Sequence, residues 1–177
     1  LKALVGCEFY LVHDRHKRQF QTSKGERDNR YHQLLLAKDQ EGYQNLSKLC
    51  SLGFIEGTYS GYPRIDKELL LQYHKGLIAT SCCIGAEIPQ TILTGDLEKA
   101  EKAVQWWLDI FGEDFYIELQ RQRGLESIDD TGYSQEKVNQ ILLGFAKKYN
   151  IKVIATNDAH YINEEDAKAH DIILCVN

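Results

Sequence analysis

VIATNDAHYINEEDAKAHDIILCVN, residues 153–177, begins with the apolar run Val153-Ile154-Ala155 and then turns polar at Asn157, Asp158 and His160. The run reads as a buried strand that stops on groups able to do chemistry. Asp158 and His160 are two apart, and in extended backbone such residues point to the same side. A carboxylate oxygen and an imidazole nitrogen can then meet one cation. The alternative is that Asp158 caps the helix that follows, and His160 is an ordinary surface or core histidine. The closing residues IILCVN have a helical pattern.

Working back from this strand, the chain alternates strand and helix. QEKVNQILLGFAKKYN (135–150) puts Val138, Ile141, Leu142, Phe145 and Tyr149 on one helical stripe, and FYIELQ (115–120) is strand-like. A helix over Asp96–Phe111 buries Leu97, Ala100, Val104, Trp107, Leu108 and Phe111, with Gly112 placed to stop it. GLIATSCC (76–83) is a buried strand. IDKELLLQYHKG is a short helix with Asp66 as its N-cap, following a break at Gly61 and Pro63. EGYQNLSKLCSLGF (41–54) is an amphipathic helix, and YHQLLLAK (31–38) and LKALVGCEFYLV (1–12) are strands. This order predicts a parallel α/β architecture. No internal repeat or low-complexity tract interrupts it.

In such folds the ligand site lies outside the carboxyl ends of the strands, so the other strand ends matter. Glu8 stands in or just past the first strand, Cys82 and Cys83 at the end of 76–83, and Glu118 within 115–120. Carboxylate, thiolate and imidazole are the donors for zinc and related divalent ions. His32 begins its strand and so sits at the wrong end of a parallel sheet. If 1–12 and 31–38 instead form an antiparallel hairpin, Glu8 and His32 come to the same rim. Glu118 is either a carboxylate that orients a metal ligand or a core-edge group. Cys7, Cys50, Cys82 and Cys175 read as simply buried.

The 177 residues, 43% of them apolar, are enough for one domain with a real core, and no long uncharged apolar stretch could span a membrane. Five cysteines lack framework spacing and no signal segment is visible. Cytoplasmic residence without a disulfide partner is the expectation. A net charge of −5 argues against the whole surface binding nucleic acid. Local basic patches remain, above all the hairpin loop 13–30 with Arg15, Lys17, Arg18, Lys24, Arg27 and Arg30. That loop is a contact to DNA backbone or a partner, or else a solvated and mobile tip. No methionine occurs, and the chain reads as an internal fragment.

The blocks VGCEFY, YHQLLLAK with EGYQNLSKL, PRIDKELL, LIATSCCIGAEIPQ, FYIELQR and VIATNDAHY with EDAKAHDIILCV resemble, in this order, the PHP (polymerase and histidinol phosphatase) domain of bacterial DNA polymerase III alpha subunits. The resemblance spans nearly the whole chain, 1–177. It implies a distorted seven-stranded (βα) TIM-like barrel holding up to three divalent ions, zinc or manganese, at its mouth. It further implies kinship with metal-dependent phosphoesterases and 3′–5′ exonucleases. Carried over by position, it gives Glu8, His32, Cys83, Asp158 and His160 as metal ligands. Asn157 and Glu118 are candidates to orient them, and no residue is singled out as catalytic. The parent would be a DNA-directed DNA polymerase of replication, using magnesium in another domain and working with DNA and other replicase subunits.

Several family features are absent. The H-x-H and D-H-G blocks do not occur, His13 and His16 being three apart in the basic loop. Cys82 replaces the glycine of the family's S-G-C block, and QRQRG lacks a histidine often found there. The expectation is therefore a barrel short of its N-terminal strands, with an incomplete metal cluster, weak metal affinity and no appreciable nuclease activity by itself. A free-standing phosphoesterase of the histidinol-phosphatase type and a non-catalytic scaffold are the alternatives.

Overall fold

The computed structural model describes residues 3–18, 30–121, 128 and 131–176. Among them lie six strands and six α-helices: β1 (Gly6–Val12), β2 (Tyr31–Ala37), α1 (Gln40–Ile55), β3 (Arg64–Asp66), α2 (Lys67–Tyr73), β4 (Leu77–Thr80), α3 (Glu87–Leu93), α4 (Leu97–Phe111), β5 (Phe115–Gln120), α5 (Gln135–Tyr149), β6 (Lys152–Thr156) and α6 (Ala167–Leu174). One mixed sheet has the order β3-β1-β2-β4-β5-β6.

The hairpin inferred from Glu8 and His32 is present: β1 and β2 pair antiparallel, with Glu8 opposite Leu34 and Tyr10 opposite His32. β2 is also antiparallel to β4, while the β1–β3, β4–β5 and β5–β6 pairs are parallel. The all-parallel expectation is thus corrected at one strand. β2 is reached by a hairpin rather than a helical crossover, so it must run against both neighbours.

Alternation divides the sheet into two faces. Phe9, Leu11, Leu35, Ala79, Phe115 and Ile117 join one buried cluster with Leu46 and Leu49 of α1, Trp107 of α4, and Val138 and Leu142 of α5. The opposite face carries Glu8, Tyr10, His32, Thr80, Glu118 and Thr156, and it positions the site. Helix ends follow the local chemistry. Asp39, Asp66, Asp96 and Ser134 each accept a hydrogen bond from a backbone N–H in the first turn of α1, α2, α4 and α5, and Gly112, at φ 53°, closes α4.

Two elements differ from expectation. Ile65 and Asp66 belong to β3 rather than to the helix, which begins at Lys67. α3 was not expected; Pro89 sits in its first turn, where its missing N–H costs nothing. The basic loop 13–30, expected as a DNA or partner contact or a solvated tip, lies largely in residues 19–29, outside the described residues. Within the described part, Arg15 is not solvated. It is 6% exposed, with Nη1 at 2.9 Å from Asp66 Oδ1 and Nε at 2.8 Å from Glu56 Oε2. Arg30 lies 3.8 Å above the Tyr62 ring. At the other end of the chain, α6 buries none of its residues, and Ile162, Ile172, Ile173 and Leu174 are exposed. No helix among the described residues is long and apolar enough to cross a membrane.

Candidate metal centre

Glu8 reaches the polar face because it alternates with the buried Phe9 on β1. His32 stands one pair along on β2, diagonal to it, and its Nδ1 lies 2.8 Å from Glu8 Oε1. Cys83 arrives from the turn after β4, bringing its Sγ to 3.4 Å from the same nitrogen. The three donor atoms fall within 4.8 Å of one another, and among the described residues this is the one such group of three or more His, Cys, Asp or Glu side chains.

The turn is what selects Cys83 over Cys82. Cys82 has φ 56°, in the left-handed region, and its N–H donates to Thr80 Oγ1 at 3.0 Å. The backbone reversal sends the next side chain toward His32 while Cys82 stays buried beside Leu34. Gly85 then passes over the imidazole: its carbonyl accepts the His32 backbone N–H at 3.0 Å, and a Cβ there would stand 3.2 Å from the ring.

Electrostatics follow from this crowding. A hydrogen bond from the Cys82 thiol, aided by His32, holds the Cys83 thiol down to about 5, against the opposing effect of burial. Cys82 keeps its proton and is pushed up by that hydrogen bond and by burial. Hydrogen bonds to Cys83 and then to Glu8 push His32 up to about 10. Its hydrogen bond to His32 lowers Glu8. Without a metal the site is therefore a thiolate and a carboxylate sharing one imidazolium proton.

Carboxylate, imidazole and thiolate form a zinc-type donor set, and their donor atoms all lie within 4.8 Å of one another. Glu8, His32 and Cys83 thus fit a divalent ion.

The remaining candidates lie elsewhere. β6 ends at Thr156, and Asp158 has φ 46°, so the extended backbone that would aim Asp158 and His160 to one side does not persist. His160 instead turns its Nδ1 to the Asp158 carbonyl at 2.7 Å and packs edge-on to His170. Neither residue joins the trio. His160 is nevertheless near enough to help lower Glu8, although β1 and β6 are four strands apart in the sheet order. The capping alternative for Asp158 also fails, because the turn before α6 is capped by Asn163 and Asp166.

Asn157 is exposed, and no hydrogen bond among the described residues ties its side chain to the trio. Glu118 is 4% exposed and fully engaged. Thr80 Oγ1 donates to its Oε2 at 2.6 Å, Gln120 Nε2 to its Oε1 at 3.1 Å, and the Thr156 hydroxyl also donates to it. Through Thr80 this carboxylate steadies the Cys82 N–H, and hence the turn that presents Cys83. Thr80 and Gly85 were missed in the sequence. Thr80 is a polar residue closing an apolar strand, the same signal that exposed Asp158; Gly85 carries no chemical signal at all.

The PHP domain family pattern matches residues 1–122. The chain is 45% identical over 177 residues to the DNA polymerase III subunit alpha of Thermus aquaticus, covering 99% of this chain and 14% of that protein. It is 42% identical over 176 residues to the subunit of the same name from Borreliella burgdorferi, and 40% over 182 residues to that of Deinococcus radiodurans. Those alignments cover 99% of this chain and 14% and 13% of the relatives. The chain spans about one seventh of the length of the curated relatives it matches.

Proposed function

Because the chain belongs to the PHP domain family, we propose that it is the PHP domain of a bacterial replicative DNA polymerase III alpha subunit, and that Glu8, His32 and Cys83 hold a divalent ion on it. The observation that carries the reading is the convergence of these three donors within 4.8 Å on the polar face of the sheet. Identities of 45%, 42% and 40% to alpha subunits along 99% of the chain support the polymerase branch over a free-standing phosphoesterase. On this reading the parent is a DNA-directed DNA polymerase, with DNA and replicase subunits as partners and a cytoplasmic location.

The six strands are then part of a distorted seven-stranded (βα) barrel, forming one domain over 1–177. Asp158 and His160 belong to the same rim and complete the ligand set once the rim closes. The thiolate and imidazole donors favour zinc, and manganese is the other ion that the family resemblance implies. When bound, it supplies charge neutralisation on a phosphate ester and acidifies water.

The residues of the chain supply the rest. Glu8 gives a carboxylate already depressed, and hence ionised. Cys83 gives a thiolate without needing an external base. Gly85 and Thr80 hold the imidazole and the cysteine turn in place. Three ligands make a weak site, so the chain by itself has low metal affinity and no appreciable nuclease activity.

The test is metal content of the full-length natural polypeptide, followed by release of the terminal nucleotide from a 3′-labelled DNA strand. Substoichiometric metal in Cys83→Ser and Glu8→Gln is expected, with Asp158→Ala lowering nuclease activity where the wild type has it. Full metal occupancy in both of the first two variants would refute the site.

A further inference from the structure

On the helix-covered side of β1, two thiols face each other. Cys7 on β1 and Cys50 on α1 are 43 residues apart in the chain, and the Cys50 thiol donates to Cys7 Sγ at 3.7 Å. Both are free and half-buried, so a small reagent can reach them. The other thiols are arranged differently: Cys82 and Cys83 are neighbours in a tight turn and Cys83 is engaged by His32, while Cys175 is exposed.

A disulfide needs about 2.05 Å between sulfurs. The gap to close is therefore roughly 1.7 Å, the difference between 3.7 Å and that bond length. Small turns about the two Cα–Cβ bonds cover such a distance, because each sulfur swings on an arc about its own Cβ. The strand begins at Gly6, immediately before Cys7, so the backbone at this end is bound on one side by a residue without a side chain.

We propose that Cys7 and Cys50 form a reversible dithiol site that takes low-molecular-weight disulfides and becomes an intramolecular disulfide stapling β1 to α1. In the first step the thiolate of Cys50 attacks a sulfur of the small disulfide. A protein–small-molecule S–S bond forms, and one small thiolate leaves and picks up a proton. In the second step the other cysteine, its proton released to solvent, attacks the protein sulfur of that mixed disulfide and expels the second small thiolate. Two protein thiols are oxidised, losing two protons and two electrons, and one small disulfide is reduced to two thiols. The site is separate from the metal trio, since Cys7 faces the helix side while Glu8, next in sequence, faces the other. The staple therefore ties the strand that holds Glu8 to the helix behind it.

The experiment treats the full-length natural polypeptide with oxidised glutathione under native conditions, blocks remaining thiols by alkylation and maps peptides by mass spectrometry. The expected product is one cross-linked peptide pair containing Cys7 and Cys50, reopened by dithiothreitol. Cys7→Ser should leave Cys50 as a glutathione mixed disulfide. The proposal is overturned if Cys7 and Cys50 both remain alkylatable at a dose that links them in urea, or if either pairs with Cys82, Cys83 or Cys175 instead. It is equally overturned if Cys7→Ser forms no mixed disulfide at Cys50.

Discussion

The Nδ1–H of His32 is shared between Glu8 and Cys83, and its titration is the most direct report on the site. Cys83 is lowered from 9.0 to about 5, so the unfolded chain binds the extra proton between those values. Its stabilising contribution is complete above 9.0 and is lost as pH falls through about 5. His32 is raised from 6.5 to about 10, so its contribution is complete below 6.5 and is lost as pH rises through about 10. In chelator-treated protein, the ultraviolet absorbance of the thiolate should persist down to about pH 5 in the wild type. It should move toward the ordinary thiol range in His32→Gln and vanish from that window in Cys83→Ser. With cobalt added, the thiolate charge-transfer band should appear in the wild type and in Cys82→Ser but not in Cys83→Ser. A band lost in Cys82→Ser and kept in Cys83→Ser would assign the wrong thiol. Gly85→Ala tests the cradle: its Cβ would press on the ring at 3.2 Å. Cobalt affinity should fall without loss of the fold, as read by titration and circular dichroism. At this scale Glu8, His32 and Cys83 were legible because metal chemistry needs particular side chains. Gly85 was not, because what matters there is the absence of one.

Asp66 shows why an element can be read correctly and still be misplaced. The sequence marks it as an N-cap, and it does accept the Leu69 N–H at 3.1 Å. It also ends β3 and carries the charge that pairs with buried Arg15, 51 residues away. A local pattern records the cap but not the ion pair, which is a contact between distant segments. Asp66→Ala should therefore cost about 1.5–3 kcal/mol beyond the loss of a cap, since it removes a charged hydrogen-bond partner from buried Arg15 and leaves Glu56 and Glu68 to hold the guanidinium. Asp96→Ala, which removes a solvent-exposed cap from α4, should cost only about 1 kcal/mol. Urea unfolding of both variants checks the difference, and equal costs would reduce Asp66 to a cap. Thr80→Val removes the hydroxyl that donates to Glu118 and accepts from Cys82, and should cost about 1–3 kcal/mol. It should also weaken cobalt binding, because the turn behind Cys83 loses its anchor. α3 escaped the sequence reading because GAEIPQTIL is short and apolar, carries a proline and shows no clear period over seven residues.

For the molecule as a whole, the proposed longer polypeptide makes a specific demand on the last described segment. Ile162 is 94% exposed and α6 buries nothing. Amide hydrogen exchange across α6 should be fast in residues 1–177 alone and slow in the full-length protein. Equal exchange in both would mean that no other part of the polypeptide covers this surface. The amino-acid sequence alone determined the α/β class, the buried centres of the stripes of α1, α4 and α5, though not that Tyr43, Phe54 and Leu97 at their ends are exposed, and the kinds of side chain available to grip a cation. These depend on periodicity and residue chemistry, which are local. Only the tertiary structure decided that β2 also runs against β4, that Cys83 rather than Cys82 meets His32, that Arg15 is buried, and that Asp158 and His160 stand outside the trio. Each of those rests on how segments tens of residues apart are brought together, and on backbone turns such as those at Cys82 and Asp158 whose direction no side-chain pattern encodes.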